Sequence, residues 1–202
     1  MGALSTIRNI YYRGSLEYCN YTCSYCPFGR KSASADTDGD REALHRFISR
    51  IGQWKHGALR ILIIPYGEAM IHRYYREGII RLAAMSHVAG VSCQTNLSFS
   101  VSRFLDEVEE ARADVTKIKF WASYHPEMAD VTEFASKIEK LHAAGIEVCA
   151  GVVGDPSAKE QIRRLRLLLD PSVYLFVNAM QGLRKPLSEG FCKPGYTVIN
   201  EA

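Results

Sequence analysis

Six short apolar runs, each followed by residues at helical spacing, leave this sequence few folds to choose from. The runs occupy positions 6–13, 60–65, 91–95, 117–123, 146–153 and 173–178. Several are nearly unbroken, as in Ile61-Leu62-Ile63-Ile64, which predicts strands covered on both faces by helices. Between them, Leu44, Phe47, Ile48, Ile51 and Trp54 keep a helical period. So do Val101, Phe104, Leu105, Val108 and Ala111, and again Val131, Phe134, Ala135, Ile138, Leu141 and His142. Asp130 with Glu133 resembles a capping box, and Asp155-Pro156 is an N-cap with proline at the first helical position. Gly57, Gly90 and Gly145 each stand where a helix is expected to stop.

Strand–helix units in series make a parallel sheet with right-handed crossovers. A closed eight-unit barrel takes roughly 250 residues, and this chain has 202. The expected fold is therefore α/β, an open partial (β/α)6 TIM-type barrel over 1–182, with a short C-terminal tail over 183–202. A doubly wound open sheet is the competing fold. In both, ligands gather at the carboxyl ends of the strands.

Composition narrows the function classes. A net charge of +3 with acids and bases intermixed offers no basic face, so no nucleic-acid partner is expected. No apolar run approaches the ~20 residues of a membrane helix, and the N-terminus lacks signal-peptide zones. A cytoplasmic protein without a membrane association is expected. Of the six cysteines, Cys19, Cys23 and Cys26 crowd one loop, whereas Cys93, Cys149 and Cys192 stand alone. Clustered thiols in a chain of this kind read as a metal or redox site and not as a disulfide framework.

That loop reads Cys19-Asn20-Tyr21-Thr22-Cys23-Ser24-Tyr25-Cys26 and follows the first strand. Three thiolates spaced C-x3-C-x2-C can hold three corners of an iron–sulfur cubane and leave the fourth iron open to a ligand. A structural zinc completed by His45 or Cys192 is the alternative, although zinc sites usually bring a second, similarly spaced pair.

This spacing after a first strand, with aromatic Tyr25 just before the third cysteine, resembles the signature of the radical SAM superfamily. The resemblance implies a [4Fe–4S] cluster on Cys19, Cys23 and Cys26 that cleaves S-adenosyl-L-methionine (AdoMet) reductively. It also implies an electron donor such as flavodoxin or ferredoxin. Later strand ends carry it further. Tyr66-Gly67-Glu68 is similar to the family's Gly-Gly-Glu turn beside the AdoMet amino group, with tyrosine replacing the first glycine. Thr95-Asn96-Leu97 is similar to Thr-Asn-Gly, and Asn96 would then meet cofactor or substrate. Ser123 matches a family serine at the methionine carboxylate or ribose, and His125 stands where the family often has aspartate. The backbone of the segment around Val152 would run along the adenine, with Asn178 near the adenine or substrate. Tyr124 and His125 are the expected substrate-facing residues, with His125 able to move a proton near neutral pH.

The tail reads Cys192-Lys193-Pro194-Gly195 and then a short strand, resembling the start of an auxiliary-cluster (SPASM or twitch-like) domain. No further cysteines follow for a second cluster. The tail's likeness points to a peptide maturase. A small-molecule biosynthetic enzyme and a non-catalytic iron–sulfur or zinc module are the alternatives.

Overall fold

The computed structural model describes residues 7–26, 28, 37–179 and 196–198. Six strands, β1 (Arg8–Tyr12), β2 (Leu59–Ile63), β3 (Val88–Thr95), β4 (Ile118–Tyr124), β5 (Glu147–Gly154) and β6 (Leu175–Ala179), lie side by side in chain order. Every neighbouring pair among them is parallel. Five helices connect them: α1 (Thr37–Gly52), α2 (Arg73–Ala83), α3 (Val101–Glu110), α4 (Val131–Ala143) and α5 (Lys159–Leu168).

Sequential order with no reversal excludes the doubly wound sheet, which needs a point where strand order turns back. Winding in one direction with crossovers of one hand also places the helices on one side of the sheet. Each helix packs on the next, α1 on α2 through to α4 on α5. The expectation that helices cover both faces is thereby corrected. In β4, Ile118, Phe120, Ala122 and Tyr124 are buried, while Trp121 between them is exposed. Phe120 meets Phe104 of α3 and Tyr124 meets Phe134 of α4. Lys119, Trp121 and Ser123 therefore point to the concave face of an open, partial barrel.

Local signals set the ends of the helices. Asp130 accepts the N–H groups of Thr132 and Glu133, and Asp155 accepts that of Ser157 ahead of α5. Gly145 closes α4 at φ 83°, with the Ile146 N–H returning to the Leu141 carbonyl. Gly90 is a correction: α2 ends at Ala83, and Gly90 lies inside β3. There Leu59 faces Val88 but Arg60 faces Gly90, so one residue bulges out of register.

The last described strand, β7 (Tyr196–Val198), pairs antiparallel with β6, Asn178 opposite Tyr196 and Phe176 opposite Val198. The strand foreseen in the tail thus has a partner, the free edge of β6. Cys192 lies outside the described residues. Among those described, no helix is long and apolar enough to cross a membrane.

Candidate functional site

The loop that carries the cysteines leaves β1 at its carboxyl end and is held by backbone donors from the next strand's turn. The Gly67 N–H donates to the Leu16 carbonyl at 3.0 Å, and the Glu68 N–H to the Tyr18 carbonyl at 2.9 Å. A side chain at position 67 has no room: its Cβ would sit 1.9 Å from the Tyr18 oxygen. The resemblance to a Gly-Gly-Glu turn thus has a local reason at its second glycine, since the turn lies directly on the chain that leads into Cys19.

Glu68 joins this turn to β3. Its carboxylate is buried and accepts the Thr95 hydroxyl at 2.6 Å, the Asn96 N–H at 2.6 Å and the Met70 N–H at 3.0 Å. Burial pushes its pKa up to about 7 although all three donors hold it down. Asn96 in turn reaches Asn20 at 3.2 Å and the Cys19 sulfur at 3.8 Å through its amide nitrogen. Leu97, at the family's glycine position, has a left-handed φ of 56°.

A third set of contacts comes from the turn after β4. The Tyr25 hydroxyl and His125 Nδ1 are 2.9 Å apart, and the two rings stack at 5.9 Å. Tyr21 meets the same imidazole edge-on. Glu127 accepts from Ser24 and Met128 from Thr22. Burial drives the His125 pKa down to about 4, so the ring is neutral at pH 7.

These elements enclose a cavity of about 190 Å³. Cys19, Cys23, Cys26, Tyr66, Gly67, Glu68, Asn96, Ser123 and His125 line it, all of them singled out in the sequence. Tyr25 stands beside it, on His125. Tyr124 is placed elsewhere, buried against α4 on the helix side of the sheet, because consecutive strand residues face opposite ways. Val152 stands opposite Tyr124 with its side chain buried on that same side, so only its backbone could run along a ligand. Asn178 stands opposite Val153 at the end of β6 and is not among the described residues lining the cavity. Conversely, Arg13, Gln94 and Thr95 line it unforeseen. The register of β3 could have shown Gln94, which stands opposite Trp121 on the concave face. Glu127 carries no sequence signal at all.

The thiols suit a cluster. Burial, then repulsion from Cys26 and Cys19, pushes the Cys23 pKa up to about 11, and burial raises that of Cys19. Thiols crowded in this way ionise when a metal takes them. Among the described residues, no three His, Cys, Asp or Glu side chains converge on a point that one ion could occupy. Three thiols from one loop around one cavity could hold three corners of a cubane cluster and leave the fourth open.

No family model and no curated protein matches the chain. Solved structures do. Native anSMEcpe with bound AdoMet superposes with a TM-score of 0.55 at 14% identity, over 81% of this chain and 48% of that one. The histidine-tagged form of anSMEcpe with bound AdoMet gives 0.55 at 16%, over 80% and 46%. BtrN in complex with AdoMet and 2-DOIA aligns more loosely, at 0.49 and 20%, over 88% and 70%. The chain spans about half the length of the anSMEcpe structures. At these identities the likeness is one of fold, and the fold is the partial barrel.

Proposed function

We propose that this chain is a radical SAM enzyme. The observation that carries the proposal is the convergence on one cavity of three thiols from a C-x3-C-x2-C loop, the Gly67–Glu68 turn, Asn96 and Ser123. That cavity lies at the carboxyl ends of a parallel sheet, where such folds place their chemistry. Structures of the same fold that hold AdoMet add support.

In this reading Cys19, Cys23 and Cys26 hold a [4Fe–4S] cluster. Once reduced, it would supply the electron that splits AdoMet into methionine and a 5′-deoxyadenosyl radical, which takes hydrogen from the substrate. The chain's own residues do the rest. The Gly67–Glu68 turn fixes the path of the cysteine loop, while Glu68 is engaged by Thr95, Asn96 and Met70. Asn96 ties β3 to the cysteine loop through Asn20 and Cys19, and Ser123 is left to orient polar groups of the cofactor. Tyr25, with Tyr21 and His125, walls the loop against water and oxygen. A cytoplasmic flavodoxin or ferredoxin is the matching electron source.

The tail's likeness to an auxiliary-cluster start favours a peptide as substrate over a small molecule. A short precursor peptide encoded beside this gene would agree with that. The decisive experiment is anaerobic reconstitution followed by reduction with AdoMet. About four irons and four sulfides per chain are expected, together with 5′-deoxyadenosine and methionine, all lost in Cys19→Ala, Cys23→Ala or Cys26→Ala. Bound zinc, or no deoxyadenosine from protein with full iron, would return the chain to the class of non-catalytic modules.

A further inference from the structure

Arg13 is the single Lys or Arg among the described residues that line the cavity. Its orientation follows from the period of β1. Tyr12 turns to the helices and stacks on Phe47 at 4.4 Å, so Arg13, the next residue, faces the concave side. The guanidinium lies over the ring of Tyr66, 4.7 Å from its centroid. Phe28 packs on the same ring at 4.6 Å. No carboxylate among the described residues pairs with Arg13.

The remainder of the lining gives an anion little welcome. It consists of three thiols, the Glu68 carboxylate, the His125 ring engaged by Tyr25, and uncharged groups. Among the described residues, a ligand bearing a carboxylate or phosphate would have one cation to meet there. That cation already has its planar face supported and its N–H edge without a partner among the described residues, the arrangement in which arginine takes oxyanions in a two-pronged grip. The same geometry accounts for Tyr66, which stands where the similar turn has glycine. An aromatic ring at that position gives Arg13 its platform.

We propose that Arg13, laid on Tyr66, is the anion-binding group of this cavity and takes a carboxylate or phosphate of the bound ligand. The inference rests on the radical SAM reading only where it names AdoMet as one source of that anion, through its own carboxylate. The other source is an acidic substrate.

Binding measured anaerobically on iron-loaded protein separates the two. The probes are AdoMet, AdoMet stripped of its carboxylate, and inorganic phosphate added to AdoMet-saturated protein. Arg13 is exposed at the rim, so Arg13→Gln should fold and load iron normally, which circular dichroism and iron content check. If the anion is the cofactor's own, Arg13→Gln weakens AdoMet roughly ten- to hundredfold and leaves the decarboxylated form unchanged. If it belongs to the substrate, AdoMet binding is unaltered and the variant loses the phosphate binding of the native protein. In either case Arg13→Lys restores part of the affinity, and Tyr66→Leu lowers it in the same direction. Native protein with full iron that binds no AdoMet would sink the enzyme reading, and phosphate alone would then decide on Arg13. Arg13→Gln binding both AdoMet and phosphate as tightly as the native protein overturns the proposal.

Discussion

Glu127 accepts both the N–H and the hydroxyl of Ser24, at 2.7 and 2.5 Å, across 103 residues of sequence. With His125 on Tyr25 and Met128 on Thr22, the turn after β4 clamps the cysteine loop beyond the Leu16 and Tyr18 carbonyls that the Gly67–Glu68 turn holds. The Glu127 contact is exposed, so its loss should act locally and not on the global fold. Glu127→Ala should speed amide exchange at Ser24 roughly fivefold and hasten iron loss to a chelator, with the urea midpoint unchanged. Glu127→Gln keeps one acceptor and should recover part of the protection. His125→Ala should loosen the loop as well, because its ring holds Tyr25 and meets Tyr21. Exchange at the native rate in all three variants would show that the clamp has no mechanical role.

Gly67→Ala sets a steric demand against a backbone. Its Cβ would lie 1.9 Å from the Tyr18 oxygen and 2.9 Å from the Glu17 carbonyl carbon. Neither atom is the free end of a side chain, so the turn and the cysteine loop must separate. The hydrogen bonds to Leu16 and Tyr18 are then stretched or lost. A loss on the order of 3 kcal/mol is expected in urea denaturation, accompanied by poor iron loading. A variant with native stability and full iron would mean that the two segments do not approach as closely as these distances require.

The barrel is legible in the sequence because its two periods are clean. Near-continuous Ile61-Leu62-Ile63-Ile64 and the stripe Phe104, Leu105, Val108 leave little choice of element. Most of the cavity is legible too, since strand ends collect there. Tyr124 escapes such reasoning because a one-residue step along a strand moves a side chain to the other face. Arg13 fails to register for the converse reason, as a charged residue at the end of a strand looks like ordinary solvation. Gly90 shows a third limit: a bulge and a helix stop both take glycine, and only pairing distinguishes them.

Leu97 sets strain and burial against each other. Its φ of 56° strains an L residue by about 1–2 kcal/mol, which glycine would relieve. Its side chain, however, is 1% exposed, and removing a buried leucine side chain costs about 2–5 kcal/mol. Its backbone is also tied, N–H to Thr95 and carbonyl to Lys137. Burial outweighs strain, so Leu97→Gly should destabilise by roughly 1–3 kcal/mol. A higher urea midpoint in the variant would reverse that ranking.

Glu68 links the site to pH. Its pKa stands at about 7 in the fold against an ordinary 4.5, because burial disfavours the charge. A raised carboxyl pKa means that the folded state holds its proton more tightly than the unfolded chain. The contribution to stability is therefore fully present below about pH 4.5 and disappears as pH rises through about 7. The whole swing is on the order of 3 kcal/mol at 1.36 kcal/mol per pKa unit. Glu68→Gln removes the titration, although its amide N–H2 must face one of the three donors and lowers stability at every pH. The informative quantity is the difference in unfolding free energy, native minus Glu68→Gln, followed from pH 5 to 8.5. That difference should shrink with rising pH, steepest near pH 5.5 to 6, midway between the two pKa values. A difference that grows with pH would mean that the Thr95, Asn96 and Met70 donors outweigh burial, and that Glu68 is held as a carboxylate throughout.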